Sequence, residues 1–71
     1  MATVVESPMH GMIDKVLVKV GDRVRQGDTL CLLEAMKMVT PLEAPVDGTV
    51  VEICVAESQS VARGAKLIVL E

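Results

Sequence analysis

An internal repeat is the feature that most restricts how this chain can fold. Residues 3 to 34 lie over residues 40 to 71 at an offset of 37 with no gap. Ten positions are identical, among them Pro8 and Pro45, Gly11 and Gly48, Val24 and Val61, Gly27 and Gly64, and Glu34 and Glu71. Two copies are too few for a solenoid, which generally needs three or more units to bury its faces. The halves are therefore expected to pack on one another about a pseudo-twofold axis. Outside the repeat stand only Met1-Ala2 and the join Ala35-Met36-Lys37-Met38-Val39, whose midpoint is Lys37. The same symmetry predicts that Lys37 and the chain ends lie at opposite ends of the molecule.

Each half reads as strands. Thr3-Val4-Val5-Glu6 is β-branched with no helix start, and Ser7-Pro8-Met9-His10-Gly11 breaks it, Pro fixing φ and Gly permitting a positive one. Residues 12 to 20 return to a strand pattern in which Val16, Val18 and Val20 alternate with Leu17 and Lys19. Ile13 is out of phase with that alternation, which calls for a bulge near Asp14-Lys15. Val24, between Gly21-Asp22 and Gln26-Gly27-Asp28, reads as a very short strand between two turns. Thr29 to Glu34 is nearly all apolar and is expected to be buried.

The second copy repeats the programme, with a break at Ala44-Pro45-Val46-Asp47-Gly48 and strands at Val50 to Val55, Val61 and Lys66 to Leu70. Ser58-Gln59 stands where the first copy has Gly21-Asp22, so its turn is expected to be the less regular one. Pro41 cannot donate to a ladder, which places the strand leaving the join at a sheet edge or an irregularity. No segment has helical periodicity. The expectation is all-β, two small antiparallel sheets closing a flattened barrel or sandwich. Residues 1–71 then form a single domain, with half-repeats 3–34 and 40–71 joined by a hairpin at 35–39.

Composition removes several functions. Hydrophobic residues make up 51% of the chain and aromatic residues none, so the core is built from Val, Leu, Ile, Met and Ala. A chain without rings cannot stack bases, and a net charge of −3 supplies no basic face, which argues against nucleic acid. No apolar run approaches the roughly 20 residues of a membrane span, and no charged-then-apolar leader precedes the first strand. A cytoplasmic protein with no direct membrane contact is the expectation. Cys31 and Cys54 lie in apolar runs away from any metal-ligand spacing, and both are expected to be buried free thiols. No Ser/His/Asp set or matched acid and base is visible.

The join is chemically odd. Ala35-Met36-Lys37-Met38 contains none of the Gly, Asn, Asp or Pro that a tight turn recruits, so something other than turn propensity explains it. A lysine flanked by two methionines at a turn projects alone, on a flexible four-carbon stem, and is a natural acceptor for covalent modification once deprotonated. The ordinary alternative is a solvated lysine with Met36 and Met38 capping the core and Glu34 as a surface acid paired weakly with it.

Glu34-Ala35-Met36-Lys37-Met38 resembles the E-A-M-K-M attachment motif of the biotinyl, or biotin carboxyl carrier, family of biotin/lipoyl attachment domains. Gly21-Asp22-Arg23-Val24-Arg25-Gln26-Gly27-Asp28-Thr29-Leu30 is similar to its G-D-x-V-x-x-G-D-x-L, and Ala44-Pro45-Val46-Asp47-Gly48 to its A-P-x-x-G. The likeness runs from about Val4 to Leu70. It implies a barrel-sandwich hybrid of two four-stranded antiparallel sheets, with the lysine on a hairpin.

It also implies covalent biotin on Lys37, with Glu34, Ala35, Met36 and Met38 as the recognition motif, and a non-catalytic carrier. The implied partners are a biotin protein ligase, a biotin carboxylase and a carboxyltransferase, between which a carboxyl group is carried. His10 stands where the family often has Pro and reads as a loop residue that could face the cofactor. Lipoyl domains share the fold but place an acidic residue before the lysine, which makes a lipoyl carrier of a 2-oxo acid dehydrogenase complex the alternative. An unmodified lipoyl-like interaction module is a further one.

Overall fold

The computed structural model describes all 71 residues, which form eight strands and no helix. These are β1 (Thr3–Glu6), β2 (Gly11–Val16), β3 (Arg23–Val24), β4 (Thr29–Ala35), β5 (Met38–Glu43), β6 (Gly48–Ile53), β7 (Ser60–Val61) and β8 (Lys66–Leu70). Two four-stranded antiparallel sheets result, in the orders β1-β8-β6-β3 and β5-β4-β2-β7. Advancing β1, β8, β6 and β3 by one half-repeat gives β5, β4, β2 and β7, so one sheet is the image of the other. The two sheets are not closed into a barrel by any ladder. Nor is either sheet one half of the chain, because each takes two strands from each half.

Loop hydrogen bonds obey the same symmetry. Gly64 N–H donates to the Ser7 carbonyl and Ser7 N–H to that of Ala65, while Gly27 N–H donates to Ala44 and Ala44 N–H to Asp28. The phase break at Ile13 is a bulge: β2 pairs Ile13 with Leu33 and then Lys15 with Leu32, skipping Asp14. Its image skips Val51, between Val50 opposite Leu70 and Glu52 opposite Val69. The bulge is what lets both Ile13 and Val16 face the core from one strand.

Three expectations are corrected. The strand expected over 12–20 ends at Val16. Leu17 still donates to the Leu30 carbonyl at 2.9 Å, but β4 begins at Thr29 and offers no ladder beyond it, so Leu17 and Val20 stay exposed. The Ser58-Gln59 turn is as regular as the first. Ser58 takes the left-handed φ of 71° where Gly21 has 100°, and the Gln59 Oε1 accepts from Ala56 N–H at 3.0 Å as the Asp22 Oδ2 does from Lys19 N–H at 3.0 Å. Gly11, finally, does not adopt a positive φ. Pro41 does sit on an edge strand, opposite Leu32.

The core is a single apolar cluster with Ile13, Leu30, Cys31, Leu33, Val50, Leu67, Ile68 and Leu70 at its centre. Both cysteines are free, Cys31 buried and Cys54 only half-buried, which corrects the expectation for the second. Burial holds the Cys31 thiol above its ordinary pKa; Cys54 is raised by burial first and then by the Glu52 carboxylate. A raised thiol pKa means less thiolate at a given pH. Alkylation of the native chain at pH 8, followed by mass, is expected to label Cys54 more slowly than free cysteine and to spare Cys31 until denaturant is added. Equal labelling of both in the native state would contradict the burial described.

Candidate functional site

The join is a two-residue β-hairpin. Strands β4 and β5 pair from Thr29 opposite Glu43 up to Ala35 opposite Met38, leaving Met36 and Lys37 alone in the loop. The hairpin expected at 35–39 is thus tighter, with Ala35, Met38 and Val39 in the ladder. Met36 and Lys37 have φ of 52° and 67°. Two positive φ values in succession mark a primed turn, whose twist matches the flanking strands and which Asn-Gly normally fills. A side chain with a β-carbon costs roughly 1–2 kcal/mol at each such position. The long β4/β5 ladder holds the turn closed against that cost.

Exposure divides the motif. Met36 is 91% exposed and Met38 69%, with Glu34 and Lys37 also exposed, whereas Ala35 is buried at 9%. Ala35 therefore serves by being small rather than by presenting a surface. The register explains it: Met38, Ala35, Gly11 and Val61 share one cross-strand row on the core side, while Val39, Glu34, Met12 and Ser60 share the next row on the outer side. A β-carbon added to Gly11 would sit 2.6 Å from the Glu34 carbonyl oxygen and 3.2 Å from the Ala35 β-carbon. Gly11 is an abutment for the hairpin, needed for closeness rather than for φ.

Lys37 is free of partners. The ion pair in the chain is Lys66 with Glu52, 3.6 Å apart on β8 and β6, and the pairing of Glu34 with Lys37 considered from the sequence is not made. His10 lies exposed in the bend that leads into Gly11, a loop residue as expected. The Ser7 hydroxyl steadies that bend by donating to the Met9 carbonyl at 2.7 Å. The chain ends, Thr3 beside Leu70, lie at the far end of β1 from this bend. No cavity opens beside the hairpin. What the arrangement offers is an exposed, unpaired amine on a two-residue tip, suited to holding a group by a covalent bond and not by enclosure.

Residues 3–70 match the family described as "Biotin-requiring enzyme". The chain is 43% identical over 65 residues to the mitochondrial methylcrotonoyl-CoA carboxylase subunit alpha of Mus musculus, covering 92% of this chain and 9% of that one. It is 45% identical over 64 residues to the biotin carboxyl carrier protein of acetyl-CoA carboxylase from Nostoc sp., covering 80% of this chain and 35% of that protein. The solved urea carboxylase of Kluyveromyces lactis superposes on all of it with a TM-score of 0.94 at 30% identity, through 6% of its own length. The chain thus spans a minor part of each of these relatives. With the hairpin lysine, the repeat and these matches together, the chain belongs to the biotin/lipoyl family.

Proposed function

We propose that this chain is a biotin carrier in a biotin-dependent carboxylase or decarboxylase. A biotin protein ligase joins biotin to the Lys37 amine as an amide. The loaded hairpin then visits a biotin carboxylase and a carboxyltransferase in turn. The observation that carries this reading is Lys37 itself, unpaired on a two-residue turn between methionines 91% and 69% exposed. The relatives named as biotin carboxyl carrier and carboxylase subunit support it.

The chain's own residues do the presenting. The Lys37 ammonium gives up a proton and its charge, and the free amine attacks the carbonyl carbon of biotin activated on the ligase. The bond to the activating group breaks with its electron pair, and a second N–H proton is lost to leave the neutral amide. Bound biotin supplies a ring nitrogen that can carry a carboxyl group, and the hairpin supplies proximity, raising the concentration of that group at each partner's site. The test is the intact mass of the chain co-expressed with a biotin ligase. A gain of one biotin less one water supports the carrier; a lipoyl adduct, or none, counts against it.

Met36 and Met38 are assigned to recognition by the ligase or during carboxylation. Met36→Leu and Met38→Leu conserve volume at exposed positions, so each should change stability by less than about 0.5 kcal/mol. Each should slow biotin attachment or carboxylation several-fold. A large drop in thermal midpoint with normal rates would reverse the assignment.

A further inference from the structure

The outer row beside the hairpin has a composition that the fold does not need. Val39, Glu34 and Met12 lie side by side on β5, β4 and β2, and Ser60 on β7 extends the row. Val39 is 50% exposed and Met12 38%. Glu34 between them is exposed and makes no side-chain hydrogen bond or ion pair. Moving this row by one half-repeat gives Ala2, Glu71 and Thr49 at the other end of the molecule. The acid is kept there, and the large apolar flanks are replaced by the small Ala2 and the hydroxyl-bearing Thr49. Exposed Met and Val around an unpaired carboxylate are therefore a property of the hairpin end, not of the scaffold.

We propose that Val39, Glu34 and Met12 form a resting site for the unloaded biotin ring of the arm on Lys37. This rests on the carrier reading above. Neighbouring strands are about 4.8 Å apart, so the row from Val39 to Met12 spans roughly 10 Å. A four-carbon lysine stem followed by the biotin tail outreaches it. Amide formation removes the positive charge of Lys37, which sits three residues from Glu34, so the carboxylate, already unpaired, loses a nearby cation. The N–H groups of a cyclic urea are suitable donors to it, in charge-assisted hydrogen bonds. Met12 and Val39 then lie against the apolar sulfur ring and tail, contacts that a thioether accommodates well.

The same carboxylate discriminates between states of the arm. Glu34 attracts the two ring N–H donors; carboxylation replaces the hydrogen of one of them by a carboxylate, which removes a donor and adds a charge that Glu34 repels. An unloaded arm rests on the sheet, and a loaded one is released.

The test uses the full chain, biotinylated, with methionine methyl groups labelled for NMR. Intact mass is read first: absence of an adduct on Lys37 overturns the carrier reading. Given the adduct, the Met12 methyl resonance should move relative to the unmodified chain and show a contact to the protons of the sulfur ring or tail. Streptavidin should capture the biotinyl Glu34→Ala chain about tenfold or more faster than wild type, since a hydrogen bond to a charged group is lost. Because Glu34 lies in the attachment motif, a second variant, Met12→Thr with Val39→Ala, copies the other half and should give the same acceleration. An unmoved Met12 methyl with unchanged capture rates in both variants overturns the resting site and leaves the carrier reading intact.

Discussion

Lys37→Arg is expected to abolish biotin attachment completely while leaving the fold as it is. The guanidinium stays protonated at any pH at which the chain is folded, so it cannot act as the attacking amine. Its charge, length and β-carbon match those of lysine. Arginine at the same left-handed position meets the same backbone cost, and the side chain is exposed and unpaired. The change in stability should stay within about 0.5 kcal/mol. The other lysines give the specificity of the prediction. Lys15 lies in the β2 ladder beside the bulge, Lys19 belongs to a turn closed by Asp22, and Lys66 is paired with Glu52. None stands on a two-residue loop. Intact mass after co-expression with a ligase, with a thermal melt beside it, checks both halves. An adduct persisting on the Arg variant would mean that another lysine accepts the group.

How far that site was legible follows from the repeat. The offset of 37 carries β2 onto β6 and β3 onto β7 with unchanged bounds. It also located Lys37 as the one lysine outside both copies. The bulge was readable because Ile13 and Val16 cannot face one core from an unbroken strand of period two. Strand pairing was not readable. That each sheet draws strands from both halves is a fact about partners, and apolar periodicity reports burial without naming the partner. The overlong strand at 12–20 failed for that reason, since Val18 and Val20 keep the alternation after β4 has turned away.

The hairpin itself was half legible. Its unsuitable turn residues were visible, and their positive φ values were not, because a long ladder can impose a conformation that local propensity opposes. Gln59 replaces Asp22 without loss of the turn. A longer side chain still brings an acceptor to the same backbone N–H.

Gly11→Ala is expected to cost about 2–3 kcal/mol, because the new methyl must enter a packed contact. In a chain of this size that lowers the thermal midpoint by on the order of 10 °C. The added carbon would lie 2.6 Å from the Glu34 carbonyl oxygen and 3.1 Å from the Leu33 Cδ1, and backbone cannot be moved aside as a side-chain end can. Gly48 occupies the same place in the other half and supplies the control. Its added carbon would lie 3.1 Å from the Glu71 carbonyl oxygen. A shift of a few tenths of an ångström relieves a contact of 3.1 Å, where the 2.6 Å approach to Glu34 needs a larger one from a carbonyl held between β2 and β5. Gly48→Ala should therefore cost less than about 1 kcal/mol by the same packing argument. Since only Gly11 touches the hairpin, its variant should also attach biotin several-fold more slowly at temperatures where both variants are folded. Thermal melts and attachment rates measured side by side decide the matter. Equal melting losses, or equal attachment rates, would show that the hairpin does not depend on this abutment.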